Sequence, residues 1–234
     1  MKITRLNEID VRLEPREWRW ATDNRNDILA HFERMRAQRP GMWNGRVLLV
    51  HRWQIDGEVL RAAMFETDFA SLVTHRAFGF PDEGIFHCAS GGVLRTTDGA
   101  FVLGVMGLDT ANAGRIYFPA GTPDPGDIRE DGSVDLAANL VRELDEEAGL
   151  IPGEYTVTPG WTAVNAGSRL ALLREIDLPL EAEALAEKIR GNIAKQRVPE
   201  LADVVIVRTR ADFSPAMPGF VRAYLNAKLP PEAA

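Results

Sequence analysis

The stretch Asp135 to Leu150, DLAANLVRELDEEAGL, constrains this chain more than any other. Leu136, Leu140, Leu144 and Ala148 recur at every fourth position, which predicts a helix with one apolar stripe turned to a core. Glu143, Glu146 and Glu147 fall at i, i+3 and i+4, so the helix gathers three carboxylates within an arc of roughly 100°. They repel one another and crowd the negative end of the helix dipole, where Lys or Arg would stabilise. Hard oxygen donors suit Mg²⁺ or Mn²⁺, and such a cation would remove the repulsion. A solvated acidic face is the other reading and, on the residues alone, the commoner one. Gly149 supplies the permissive residue expected just past a helix.

The run from Arg142 to Leu150, RELDEEAGL, resembles the closing half of the Nudix box, G-x5-E-x7-R-E-U-x-E-E-x-G-U with U aliphatic. Every specified position from Arg142 to Leu150 matches. The opening half does not: counting back, the box glutamate falls on Val134 and the box glycine on Ile128. Pro119-Ala120-Gly121 resembles the P-x-G that opens such a box, with Gly121 seven positions before Ile128. The intervening TPDPGDIREDGSV is rich in Pro, Gly and Asp and reads as an inserted loop. Asp127 or Asp135 could take over the missing glutamate's bond to the box arginine, and Asp135 also reads as the helix cap.

The resemblance implies an α/β fold, a Nudix-type α/β/α sandwich with a mixed sheet, over residues 85–234. An N-terminal α+β lobe, residues 1–84, would pack on it, covering the substrate or making a homodimer interface. It also implies metal-dependent hydrolysis of a nucleoside diphosphate linked to another moiety, such as a nucleotide sugar or ADP-ribose. Glu143 and Glu147 would lead as metal ligands for Mg²⁺ or Mn²⁺, with Glu146 next and the carbonyl of Gly121 or Ala120 completing the set. Arg142 would orient the carboxylates by charge-assisted hydrogen bonds; a surface ion pair is its plainer role. Glu200, on a loop before a late strand, is the first candidate for general base, against an ordinary exposed glutamate; Glu146 is the second, and a metal-bound hydroxide needing no dedicated base is the third. A fold that keeps the scaffold but has lost turnover, leaving a nucleotide-binding or regulatory module, is the alternative; the intact acids from Glu143 to Glu147 favour the enzyme.

Composition narrows the partners. With 27 Lys and Arg against 34 Asp and Glu, a net charge of −7 argues against a nucleic-acid polymer held through its phosphates and leaves small nucleotides open. The single cysteine, Cys88, forms no intramolecular disulfide, fits a reducing compartment and reads as a buried thiol. No run of eighteen apolar residues or amino-terminal signal segment is present, so no membrane is expected and the cytoplasm is the default location.

Along the chain, 2–13 predicts an edge strand and 24–38 an amphipathic helix. Runs 46–53 and 58–66, joined by Asp56-Gly57, predict a β-hairpin. The turn Trp43-Asn44-Gly45 ahead of it is similar to the opening of nucleotide-sugar-hydrolysing Nudix relatives. A short helix is expected over 70–76, then strands over 83–96, 100–106 and 115–119. Beyond the box come short strands at 155–158 and 168–176, a helix at 181–195, the β-branched strand 204–207 and a last helix at 219–228, with a frayed tail after it. Gly91-Gly92 could admit backbone to substrate or serve tight packing. Trp161 and Phe118 could stack a base, though core packing suits both. The four histidines show no ligand spacing.

Overall fold

The computed structural model describes residues 1–230, so the frayed tail expected from 230 onward falls, but for its first residue, outside the described residues. In chain order the first part holds β1 (Lys2–Leu6), β2 (Glu8–Leu13), α1 (Arg19–Asp23), α2 (Arg25–Gln38), β3 (Arg46–Asp56), β4 (Val59–Asp68) and α3 (Phe69–Ala77). Then come β5 (His87–Arg95), β6 (Phe101–Met106), β7 (Ile116–Tyr117), β8 (Ala120–Gly121), α4 (Leu136–Ala148) and β9 (Thr156–Val157). The chain closes with β10 (Trp161–Asn165), β11 (Arg169–Asp177), α5 (Ala182–Ile193), β12 (Leu201–Val207) and α6 (Gly219–Lys228).

The fold is α/β. One mixed sheet runs β1-β10-β11-β5-β6-β12, with β7, β8 and β9 pairing at β6, β5 and β11. Only β11 and β5 run parallel in its central path, and the other neighbours are antiparallel. Strand alternation sorts the apolar residues to its two faces. Leu94, Val102, Leu170 and Leu172 face the core built on α4 and α5, through Leu140, Leu144, Leu185 and Ile189. Val93, Leu103, Ala171 and Leu173 face the core closed by Val221, Tyr224 and Leu225 of α6. That is a three-layer sandwich.

A three-stranded sheet, β2-β4-β3, stands beside it. Its Leu48, Val50, Leu60 and Met64 join the same core as α4, while Val47, Leu49 and Phe65 on the other face pack with Leu72 of α3 and with Trp18. The hairpin turns at Gly57, whose φ of 60° needs glycine. The run 2–13 is divided: β1 is the edge of the large sheet, paired with β10, and β2 is the edge of the small one, parallel to β4.

Several elements differ from expectation, among them α1 and β8, which are too short, at five and two residues, to show a period in the sequence. The strand expected from 83 begins at His87, because Asp82 holds the preceding turn by accepting from Gly84 N (3.0 Å) and Trp18 Nε1 (3.0 Å). Strand β10 was not expected; Pro159-Gly160 breaks the chain before it, and only five residues carry its pattern.

Candidate active site

The box helix is α4. Asp135 caps it, accepting from Ala137 N (3.2 Å) and Ala138 N (3.0 Å), and Gly149 ends it at φ 65°. Leu136, Leu140, Leu144 and Ala148 are all buried. The glycine pair of β5 makes this packing fit: a Cβ at Gly92 would meet Leu144 at 2.8 Å and Leu140 at 3.2 Å, and one at Gly91 would meet Leu173 at 2.9 Å. Gly91-Gly92 therefore serves close packing between layers.

The inserted loop is fastened to this helix by one carboxylate. Asp127, 3 % exposed, accepts from Arg142 Nη1 (2.7 Å) and Nη2 (3.1 Å), from Asn139 Nδ2 (3.0 Å) and from Asp124 N (2.9 Å). Asp124 takes a further bond from Arg142 Nη2 at 3.2 Å. The guanidinium of Arg142 thus lies on the loop acids, which hold it firmly charged, the Asp127 hydrogen bonds first among the causes. Val134, where a regular box would carry its glutamate, is buried apolar core.

The other acids look into a cleft of about 430 Å³ whose lining includes Glu143, Glu146, Glu147 and Glu200. Glu147 is buried, and its Oε2 accepts from Ala120 N at 3.1 Å. Glu143 is half-buried and lies so close over Gly121 that a Cβ there would run into its carboxylate. Glu146 and Glu200 are exposed at the rim. Burial, then the charges of Glu146 and Glu200, push the Glu143 carboxyl up to about 7. Burial, then Glu143 and Glu200, raise Glu147 well above the usual carboxylate range. Glu200 is exposed as a residue, yet the protein around its carboxyl end and the charge of Glu146 raise it too.

These donors fit a hard divalent cation. They are all oxygen, they face one space, and none of the four forms an ion pair among the described residues. Among the described residues no three His, Cys, Asp or Glu side chains stand together as a ready-made ligating group. The carboxylates share a cleft without forming a closed shell.

Several further side chains line or frame the cleft. Trp43, 78 % exposed, stands on its rim, its ring packed over Gly45, and Asp109 and Asp124 contribute to the lining. The turn Trp43-Asn44-Gly45 is visible in the sequence, but its position across from the glutamates depends on how the small sheet docks. Trp161 and Phe118 are buried in the two cores, Trp161 with the Arg174 guanidinium 5.0 Å from its ring and Phe118 5.6 Å from Tyr224. Cys88 is fully buried, which pushes its thiol up to about 12. No helix among the described residues is long and apolar enough to cross a membrane.

No family model matches the sequence, and no curated protein matches it either. Among solved structures, the chain is similar to the Nudix hydrolase RenU of M. smegmatis (18 % identity, 63 % of this chain and 90 % of that one, TM-score 0.39). It is also similar to the MutT protein of Methanosarcina mazei (16 %, 61 % and 91 %, TM-score 0.37) and to an Ap4A hydrolase of C. elegans (17 %, 51 % and 78 %, TM-score 0.35). These overlaps are loose and decide nothing by themselves. What the structure shows is a three-layer α/β/α sandwich, a mixed sheet between α4–α5 and α6, with Arg142 to Ala148 closing the helix that faces the Pro119–Gly121 segment.

Proposed function

We propose that the chain is a metal-dependent hydrolase of the diphosphate linkage in a nucleoside diphosphate joined to a second moiety, of the nucleotide-sugar or ADP-ribose type. The observation that carries this reading is the placing of Glu143 and Glu147: two carboxylates withdrawn from water, with no ion pair to a basic side chain among the described residues, on the box helix and against Gly121 and Ala120. That arrangement is costly unless something positive enters.

Glu143 and Glu147 would hold Mg²⁺ or Mn²⁺, with Glu146 and the backbone at Gly121 or Ala120 as further oxygen donors. Bound there, the cation would neutralise the diphosphate and ease deprotonation of the attacking water. Glu200, or Glu146 after it, would take the proton from that water. The water oxygen bonds to one phosphorus, the bridging P–O bond breaks, and two phosphorylated products leave. Arg142 is a positioning residue: bound to Asp127 and Asp124, it fixes the loop that follows Gly121 against the glutamate helix.

One observation favours a second reading. Val134, part of the buried core, stands where a regular box carries its glutamate, as a module that binds nucleotide without turning it over could tolerate. Release of nucleoside monophosphate from UDP-glucose, ADP-ribose, NADH, dinucleoside polyphosphates and nucleoside triphosphates, with Mg²⁺, Mn²⁺ or EDTA, separates the two. Metal-dependent turnover that falls by about 100-fold or more in Glu147→Gln is the expected result. Absence of turnover across the panel, with nucleotide still raising the melting temperature, selects the binding module.

A further inference from the structure

The acidic cleft has a neighbour of opposite sign. A cavity of about 330 Å³ shares Asn112, Tyr117, Ala120 and Thr122 with the cleft but none of its glutamates. Three arginines from separate parts of the chain line it: Arg76 at the end of α3, Arg115 just before β7 and Arg169 opening β11. None of the three lies within 4 Å of a carboxylate among the described residues, in a chain where acids outnumber bases.

The guanidiniums are set in place. Arg76 Nη2 donates to Asn112 Oδ1 (2.7 Å), and Asn112 Nδ2 donates to the Tyr117 hydroxyl (3.1 Å). Arg169 lies 5.5 Å from the centre of the Phe80 ring. Phe80 is the one non-glycine residue with positive φ, 60°, among the described residues, a strained backbone that holds its ring under this cation. Burial, then Arg169, drives Arg76 down to about 10, and His87 on the same wall is pushed down to about 3 by burial and by Arg76 and Arg169. His87 is therefore neutral, joined to Thr122 Oγ1 at 2.8 Å, and the cavity's charge comes from arginine. The cavity also has an apolar wall, to which Val164, Leu170 and Phe220 contribute.

We propose that this cavity receives an anionic group, phosphate or carboxylate, carried by the part of the substrate beyond the scissile diphosphate. The proposal rests on reading the neighbouring cleft as the diphosphate site. Arginine forks match both anions and are weakly hydrated, so they give up water to a ligand more readily than lysine would. The apolar wall suits the ring or chain that bears the anion. The volume, at the small end of ligand pockets, suits one such group. Arg76 comes from the N-terminal segment and the other two from the large sheet and its loops, so substrate choice here requires both.

The test is calorimetric binding in EDTA, where no hydrolysis occurs, with two matched pairs: UDP-glucuronate against UDP-glucose, and ADP-ribose 2′-phosphate against ADP-ribose. The expected result is a preference of about tenfold for the more anionic member of at least one pair, the first naming a carboxylate and the second a phosphate. That preference falls to about one in Arg169→Gln and in Arg115→Gln, the latter exposed enough to change without affecting the fold. Equal affinity within both pairs, a preference unchanged in both variants, or no measurable binding of any member either in EDTA or with Ca²⁺ in its place overturns the proposal. Failure of turnover with Mg²⁺ while the preference persists in EDTA would instead strike only the hydrolase reading.

Discussion

At Asp127 a buried carboxylate accepts four hydrogen bonds, two of them from Arg142. Asp127→Asn keeps the shape and removes the charge, so it should cost about 2–4 kcal/mol of stability, read as a lower midpoint in urea. Glu147 should behave in the opposite way. Its burial beside Glu143 disfavours the folded state without metal, so Glu147→Gln should melt at or above the wild-type temperature in EDTA and lose most of the gain that Mg²⁺ gives wild type. His87 supplies a pH dependence. Folded, burial and then Arg76 and Arg169 hold it down to about 3; unfolded, it takes up its proton near pH 6.5. Its contribution is complete above that value and is lost as pH falls from 6.5 toward 3. Unfolding midpoints measured across that range should fall less steeply in His87→Gln. That Glu143, Glu146 and Glu147 share one helix was readable because their spacing is local; Arg142, expected to orient those glutamates, bonds Asp127 and Asp124 instead, partners that only the folding of the inserted loop supplies. The arginine cavity was not readable, because Arg76, Arg115 and Arg169 are far apart in the sequence and line one cavity only in the folded chain.

Among the elements, α4 was the easiest to anticipate, since its leucine stripe, its cap at Asp135 and its terminal Gly149 all agree. β10 was invisible because five residues after a proline and a glycine carry too short an alternation to stand out. The division of 2–13 between two sheets also could not be read locally, because it depends on partners at 59–64 and 161–165. The closeness of α4 to β5 makes a direct prediction. Gly92→Ala forces Leu144 and Leu140 to yield, at about 1–3 kcal/mol, and a lowered thermal midpoint should report it.

On the scale of the whole molecule, the segment before residue 85 and the rest share one core, in which Leu48, Val50 and Met64 lie with Leu140 and Leu172. Residues 85–234 expressed alone should therefore show no cooperative unfolding by circular dichroism and should bind a hydrophobic dye. The inserted loop reinforces this joining. Leu48 N bonds to Pro123 O (2.7 Å), Leu13 N to Gly132 O (2.9 Å) and Val134 N to Val11 O (2.8 Å), while Asp127 grips Arg142 on the other side. A strap buckled at both edges has no slack to give up. Extra length in surface loops is commonly tolerated because it hangs free; here the added length is tied down at Pro123, Gly132 and Val134 into a seam, and shortening it would part the two halves that it stitches.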